Sequence, residues 1–426
     1  MRSLLSESWL TASLVLVVVG LTIESVPLLG LGALVFGAGG AARLWSRLSL
    51  EDVEYHRELS EHRAFVGERV QMTMHLTNDK VLPVPWIEVR ERLPDDAPVI
   101  DAKTSPAGTP GFVYLTRTTA LRSGDRLEWP IEMRTVARGY HRIGPTRLRS
   151  GDLFGLFERE EYVGDGELLI VYPRTYPLDD LGLASSRPFG EYRGGSRIFP
   201  DPIRVVGVRD YIPGDPLKQI DWNATARANR LQSRLYEPSR EYALIVALDV
   251  MTLAHTWEGS DPVLLERGVI VAASIARDAF DRKAAIGVIS NGALPEADRP
   301  VRIGAGRRPD QLTRVLEALA GTNPFAMHPL SAELERPGEA LSLGATIVVV
   351  AALMPPDLAA TLQRLTHEGH TVHVIKTSGE VWEQSLGAIP VTDVTTRMEA
   401  LEEQAAAEDE SEPWTRSRVQ VVRVGS

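Results

Sequence analysis

Cysteine is absent from all 426 residues. Disulfides, thiol nucleophiles and thiolate metal sites are excluded together, and a reducing compartment is compatible with the composition. Basic charge is also short: 46 Lys and Arg stand against 57 Asp and Glu, a net charge of −11. That balance lacks the basic field that a phosphate backbone needs, so nucleic acid is not expected as a partner. No P-loop with Gly-Lys-Ser/Thr occurs, no His-Glu-x-x-His helix, and no nucleophile elbow in GVISNG (287–292). The conspicuous glycine run, GLGALVFGAGG (30–40), lies inside an apolar segment rather than after a strand. No cofactor is implied, and no strong catalytic motif is present.

What the chain does have begins at its N-terminus. Residues 9–23, WLTASLVLVVVGLTI, and 26–42, VPLLGLGALVFGAGGAA, are both uncharged, with Glu24 and Pro27 marking a turn. Each run is slightly under the ~20 residues that cross a bilayer, and the flanks lengthen them. This predicts a transmembrane helical hairpin over 1–47. Arg2 precedes the first run, Arg43 and Arg47 follow the second, and no Lys or Arg lies between them. The positive-inside rule then places both ends, and everything after residue 47, at the cytoplasmic face of the cell membrane. A cleaved signal peptide is the alternative, since GAGGAAR offers small residues, but two apolar runs are too long for one.

From 48 to 175 the period is two. VQMTMHLT (70–77) puts Val70, Met72, Met74 and Leu76 on one face, and WIEVRERL, FVYLTRTTAL and RLEWPIEMRTV repeat the style between Asp, Asn, Gly and Pro turns. Short strands at this spacing predict an all-β, Ig-like sandwich that forms a surface and not a cleft. Residues 176–240 read as an ordered linker. Over 241–400, apolar strands (243–250, 284–290, 345–353, 371–376) alternate with amphipathic helical stretches. That is the signature of a doubly wound α/β domain with a parallel sheet covered on both faces. Residues 401–426 predict an acidic helix grading into a disordered tail. The fold class is therefore multidomain, with room for roughly two to four domains.

Three groups of residues invite chemistry. Asp249 ends the first strand of the α/β domain, at the edge where open parallel sheets bind ligands. A von Willebrand factor A domain places a magnesium site there with Asp-x-Ser-x-Ser, but here the two serine positions are Met251 and Leu253. Neither supplies a hard oxygen. The loop NPFAMHPLSAEL (323–334) has no threonine, and the later strand ends in Ala351-Ala352-Leu353 without an aspartate. The metal site is read as degenerate, with Thr252 a possible substitute ligand. His367, His370 and His373 stand three apart, but Gly369 should end the helix between them, so their rings should not converge.

The densest group is VRDYIPGDPLKQIDWNATARANRL, residues 208–231. Pro213-Gly214 suits a type II turn, and Asp215 can cap a helix whose first residue is Pro216. Leu217, Ile220 and Ala224 then continue an apolar stripe, with Asp221, Trp222 and Arg227 in a half-buried charge cluster. Three roles stay open. The segment is a clasp between the sandwich and the α/β domain, or a docking or anion-binding surface using Arg204, Arg209, Lys218, Arg227 and Arg230. In the third, it is an enzyme's site built on Asp215 or Asp221.

The pattern Arg209-x-Tyr211-x-Pro213-Gly214-Asp215, Ile220-Asp221-Trp222 and Ala226-Arg227 resembles the domain of unknown function 58 family. The segments NDKVLPVPWIEVRERLP, RGYHRIGP and SGDLFGLF are also similar to family pieces. Lys218 stands where the family usually has arginine. The resemblance implies a membrane hairpin, a β-rich segment and a von Willebrand factor A-like domain. It also implies a MoxR-type AAA+ ATPase as partner. Together these point to a membrane-anchored, non-enzymatic adaptor. The alternatives are an enzyme acting on an envelope substrate through the Asp215/Asp221 region or Asp249, and a metal-dependent protein-binding module.

Overall fold

The structure, a computed structural model, describes residues 2–100, 102–153, 155–183, 199–212, 220–239, 243–255, 258–295, 297, 299–336, 341, 344–411 and 422–424. The chain forms two compact units, one from residues 1–172 with 408–426 and the other from residues 173–407.

The first unit opens with two apolar helices, α1 (Arg2–Thr22) and α2 (Val26–Leu48), reversed through Glu24 at φ 53°. They approach closely because glycine lines the contact: a Cβ on Gly39 would stand 2.3 Å from the Trp9 ring. Their outer faces expose Leu14, Val15, Leu21, Leu34 and Phe36. By length and composition α2 can cross a membrane, and Trp9–Thr22 is a shorter apolar helix beside it. The carbonyls left over at the end of α2 are taken up from the β-rich part of the same unit. Lys80 Nζ donates to the oxygens of Leu48, Ser49 and Glu51 at 2.8, 2.6 and 2.7 Å.

Eleven strands follow: β1 (Val53–Leu59), β2 (Arg63–Phe65), β3 (Arg69–Asn78), β4 (Val84–Pro94), β5 (Thr104–Pro106), β6 (Phe112–Leu121), β7 (Arg126–Arg134), β8 (Gly139–Ile143), β9 (Thr146–Gly151), β10 (Glu158–Val163) and β11 (Glu167–Tyr172). They pair as β1-β3-β7, β10-β9-β4-β6-β5 and β2-β11-β8. The expected alternation holds, since Val70, Met72, Met74 and Leu76 of β3 are all buried. Each side chain of that size contributes roughly 1.5–3 kcal/mol on leaving water.

Glu91 breaks the pattern. It lies on the buried face of β4 between Val89 and Leu93, fully out of water. Tyr55 Oη and Thr146 Oγ1 each donate to its Oε2 at 2.5 Å, and Arg57 Nη1 meets Oε1 at 2.5 Å. Burial, with the neighbouring Glu91 charge, pushes the Tyr55 hydroxyl pKa far above its usual range, so it stays a donor. Gly144 makes room for the pair, because a Cβ there would sit 2.5 Å from the Arg57 guanidinium.

The second unit starts with a two-stranded ribbon, β12 (Phe199–Asp210) and β13 (Gln232–Ser239), with α3 (Trp222–Ala228) between its strands. The α/β part contains β14 (Ala243–Leu248), α4 (Pro262–Asp281), β15 (Ala285–Ala293), β16 (Pro300–Gly306), α5 (Gln311–Gly321), α6 (Leu330–Glu335), β17 (Thr346–Ala351), α7 (Pro356–His367), β18 (Thr371–Lys376), β19 (Val391–Asp393) and α8 (Thr395–Ser411). Its sheet runs β16-β15-β14-β17-β18-β19. The central strands are parallel and their apolar runs are buried, as their sequences predict. The sheet is not wholly parallel, however. β16 returns antiparallel along β15, with a register shift, and makes a mixed edge.

Arg267 of α4 holds α8 with two bonds to Glu402 at 2.7 and 2.8 Å and a third contact to Glu399. The expectation of a disordered tail is corrected at one place. β20 (Val422–Val424) pairs antiparallel with β7, extending the first sheet.

Candidate functional site

The chain leaves β14 to one side for β15 and returns on the other side with β17. The sheet order therefore reverses between β14 and β17. In an open α/β sheet the crevice beyond the carboxyl ends at such a switch point is where ligands bind. Asp249 directly follows β14 there, as its sequence position predicts, and its N–H donates to Val350 O of β17 at 3.0 Å.

The Asp249 side chain is buried. Its Oδ1 accepts the Met251 backbone N–H at 3.0 Å and the Asn291 amide at 2.8 Å. Asn291 stands at the end of β15 and accepts the Val250 N–H with its own oxygen, so one amide fixes both residues. Burial pushes the Asp249 carboxyl up to about 6, with the Asp357 charge adding to the effect and the two donors opposing it.

Asp357 and Ser331 were missed in the sequence. Asp357 sits in the first turn of α7, just past β17, and accepts Ser331 Oγ of α6 at 2.5 Å. Five residues, the last two of them prolines, separate it from the strand end, so a search for an aspartate directly after the strand passes it over. The visible signal was a carboxylate one helix start beyond the apolar run ATIVVVAA.

At the positions where the sequence reading looks for a magnesium site, Met251 and Leu253 offer no oxygen, and Thr252 Oγ1 accepts the Asp261 N–H at the start of α4. Among the described residues no group of three or more His, Asp or Glu could hold a metal. The histidines lie as the helix-stop argument requires: His367 closes α7, His370 is in the turn and His373 is on β18.

The motif of residues 208–231 folds differently from expectation. Pro213, Gly214, Asp215 and Lys218 lie outside the described residues, and so does the predicted turn and helix start. Ile220 is not on a helix. It is buried and bridges to Ser233 in extended conformation. The helix cap is Asp221, whose Oδ1 accepts the Asn223 and Ala224 N–H groups, each at 3.0 Å. The Ala224 N–H, then Arg234, and last the Asn223 N–H hold the Asp221 carboxyl below the usual range.

The predicted Asp221–Arg227 cluster is also corrected. Asp221 pairs with Arg234 of β13 at 3.1 Å, while Trp222, Ala226 and Arg227 are exposed. Asp210 pairs with Arg230 at 3.0 Å and takes the Gln232 amide at 2.5 Å, so Arg230 is not a bare cation for an anion. Arg209 and Tyr211 are half-buried, and the Tyr211 N–H donates to Leu231 O.

Residues 207–408 match the family model described as Protein of unknown function DUF58. A relative from Bacillus subtilis (strain 168), "Uncharacterized protein YeaD", is 24% identical over 259 residues, covering 59% of this chain and 59% of the relative. The chain thus spans about three fifths of the length of that relative. Among solved structures, the CARDB domain of a Pyrococcus furiosus protein, in complex with di-metal ions, overlaps 28% of this chain and 94% of its own. Its TM-score is 0.19 and its identity 12%. The sporulation control protein Spo0M from Bacillus subtilis overlaps 28% of this chain and 49% of its own, at TM-score 0.17 and 14% identity. Overlaps this slight carry no argument about fold or function. The matched stretch, residues 207–408, holds both the Arg209–Arg227 motif and the switch point, and it is similar to the family described as Protein of unknown function DUF58.

Proposed function

We propose that the protein is a membrane-anchored, non-enzymatic adaptor that docks a protein partner on the ribbon of β12, α3 and β13. The hairpin crosses the membrane twice, and the remaining chain lies at the cytoplasmic face. The α/β part is von Willebrand factor A-like with a degenerate metal position, and the β-rich part is Ig-like.

One observation carries this reading. The ribbon exposes Ile212 at 58%, Trp222 at 66% and Leu231 at 45%, while its own charges pair with each other in Arg230–Asp210 and Arg234–Asp221. Large apolar side chains exposed on one small element favour an interaction surface, and tryptophan is the side chain most often decisive in one. Asp221 is committed to capping and pairing, which leaves it no part in proton transfer. The partner suggested by the family resemblance is a MoxR-type AAA+ ATPase.

The test is an affinity capture from detergent extract of a strain that expresses such an ATPase. The wild-type chain should retain the ATPase and Trp222→Ala should lose it while its unfolding midpoint stays unchanged. Surface substitutions of this kind move stability by no more than about 0.5 kcal/mol. A folded wild-type chain that captures no ATPase would overturn the proposal. A Trp222→Ala protein that is simply unstable would favour the clasp instead.

A second reading rests on Asp249, whose raised pKa at a switch point suits a general base. It predicts that Asp249→Asn abolishes activity on an envelope substrate in a protein that remains folded. Retained function in the Asp249→Asn chain would eliminate it.

A further inference from the structure

The loop between β9 and β10 exposes Leu153 at 66% and Leu156 at 57%, and its next residue, Phe157, turns back onto the hairpin. The Phe157 ring meets Trp9 of α1 edge-on at 6.0 Å, and the Arg43 guanidinium of α2 lies 6.0 Å from the same ring. The loop's polar groups are used internally. The buried Asp152 accepts the Phe157 N–H on its carboxylate at 2.6 Å and the Trp86 indole N–H on its carbonyl at 3.0 Å. Leu153 and Leu156 are left facing outward.

The depth of that contact follows from helix geometry. Trp9 lies thirteen residues before the end of α1 and Gly39 thirteen after the start of α2, so both sit about 20 Å from the turn at a 1.5 Å rise. The turn carries Glu24 and Ser25 and must reach the outer polar layer. A hydrocarbon layer of about 30 Å therefore extends some 10 Å past the Trp9–Phe157 contact, and tilt of the helices only increases that overlap. Arg43 sits over Phe157 at the level where a long basic side chain reaches for the interface.

Resting on the membrane-anchored reading, we propose that Leu153, Leu156 and Phe157 form a second, monotopic insertion. In this arrangement the leaflet on the side of the β-rich unit packs its acyl chains against the loop. The loop lies beside the hairpin in the last part of the hydrocarbon layer, where the Gly155 and Phe157 N–H groups and the Trp86 indole N–H are satisfied by Asp152. It also fixes the β-rich unit against the bilayer surface instead of leaving it on a swinging tether.

The cysteine-free chain makes the test direct. Single Leu153→Cys, Leu156→Cys, Leu14→Cys and Val381→Cys variants of the full chain carry a nitroxide label in phosphatidylethanolamine/phosphatidylglycerol vesicles. Collision rates with dissolved oxygen and with an aqueous nickel chelate are then measured. Leu14, exposed on α1, reports on the hairpin, and Val381, exposed in the α/β unit, is the aqueous reference. The expected result is an oxygen-to-nickel ratio at positions 153 and 156 shifted from the Val381 value toward the Leu14 value. Labels at 153 and 156 that match Val381, while Leu14 reports lipid, overturn the insertion and leave the hairpin standing. A Leu14 label that itself reads as aqueous overturns the membrane-anchored reading and the insertion with it.

Discussion

Glu91 in the β-rich unit is met by a guanidinium and two hydroxyls, whereas Asp249 in the α/β unit is met by a backbone N–H and an asparagine amide. Both carboxylates are out of water. The first has a full positive charge within 2.5 Å, and among the described residues the second has no cation in its ion-pair contacts. A buried charge that is paired and hydrogen-bonded belongs to the architecture. One that is solvated only by dipoles, and carries a raised pKa at a sheet switch point, is held at a cost that folding does not need.

The largest effect should come from unpairing the first. Arg57→Met leaves Glu91 buried without its cation, and loss of one partner from such a pair costs about 3–5 kcal/mol. Urea unfolding in detergent, followed through the buried Trp129, should show it. Adding Glu91→Leu to Arg57→Met should recover part of the loss. A single Arg57→Met substitution that leaves the midpoint unmoved would mean that the Arg57–Glu91 contact does not hold the fold, and the contrast with Asp249 would collapse.

Asp249→Asn should act in the opposite direction. The Oδ1 of asparagine can keep both donors, Met251 N–H and the Asn291 amide, while the charge is gone. The folded pKa of about 6 lies above the ordinary 3.8, so the folded chain holds this proton more tightly than the unfolded chain does. Stability is thus greatest below the unfolded pKa, falls as pH rises through that interval and levels off above about 6. The shift corresponds to roughly 3 kcal/mol near neutral pH. The substituted protein should be more stable at pH 7 by an amount of that order and lose the slope between pH 4 and 6. An unaltered slope would assign the titration to another group. Stabilisation by removing a buried acid is the pattern expected where function, not folding, retains it.

Part of this contrast is legible in the amino-acid order and part is not. Period two placed Val70 to Leu76 on a buried face, and a continuous apolar run ending in Asp249 placed a carboxylate at a parallel-sheet edge. Those signals are local. The same period puts Glu91 on the core face with Val89 and Leu93, yet nothing nearby names its partners, because Tyr55, Arg57 and Thr146 come from β1 and β9. Asp357 is hidden because five residues, ending in Pro355 and Pro356, separate it from the end of β17.

Around Ile220 a helical stripe was inferred from spacing, but a bridge to Ser233 holds the backbone extended up to Asp221. Tertiary pairing overrode local propensity at Ile220, and the described helix that follows is capped by Asp221. The antiparallel return of β16 and the pairing of β20 with β7 are long-range choices that no window of sequence contains.

Arg267 offers an intermediate case, a mostly buried guanidinium facing the partly exposed Glu402 and Glu399. Arg267→Ala should cost about 1–2 kcal/mol, between a surface pair and a buried one, and release α8. Hydrogen exchange of the α8 amides is the measurement, and unchanged protection would show that α8 is held by something other than these bidentate bonds.

The smallest effect is expected at Asp221, a paired carboxylate in the open. Its Oδ1 bonds to Asn223 and Ala224 would survive in Asp221→Asn, since asparagine caps a helix as well as aspartate does, and only the charge facing Arg234 is lost. The Asp221 pKa is lowered, so its stabilising contribution is present above the ordinary carboxylate range and disappears as pH falls through the folded value. Asp221→Asn should therefore differ little from wild type at acidic pH and be slightly weaker at neutral pH. Asp221→Ala should lose protection of the Asn223 and Ala224 amides at both. If function survives Asp221→Asn and fails in Asp221→Ala, the residue acts by shaping the ribbon. If both substitutions abolish function while α3 keeps its amide protection, the carboxylate itself is used, and Asp221 belongs with Asp249 rather than with Glu91.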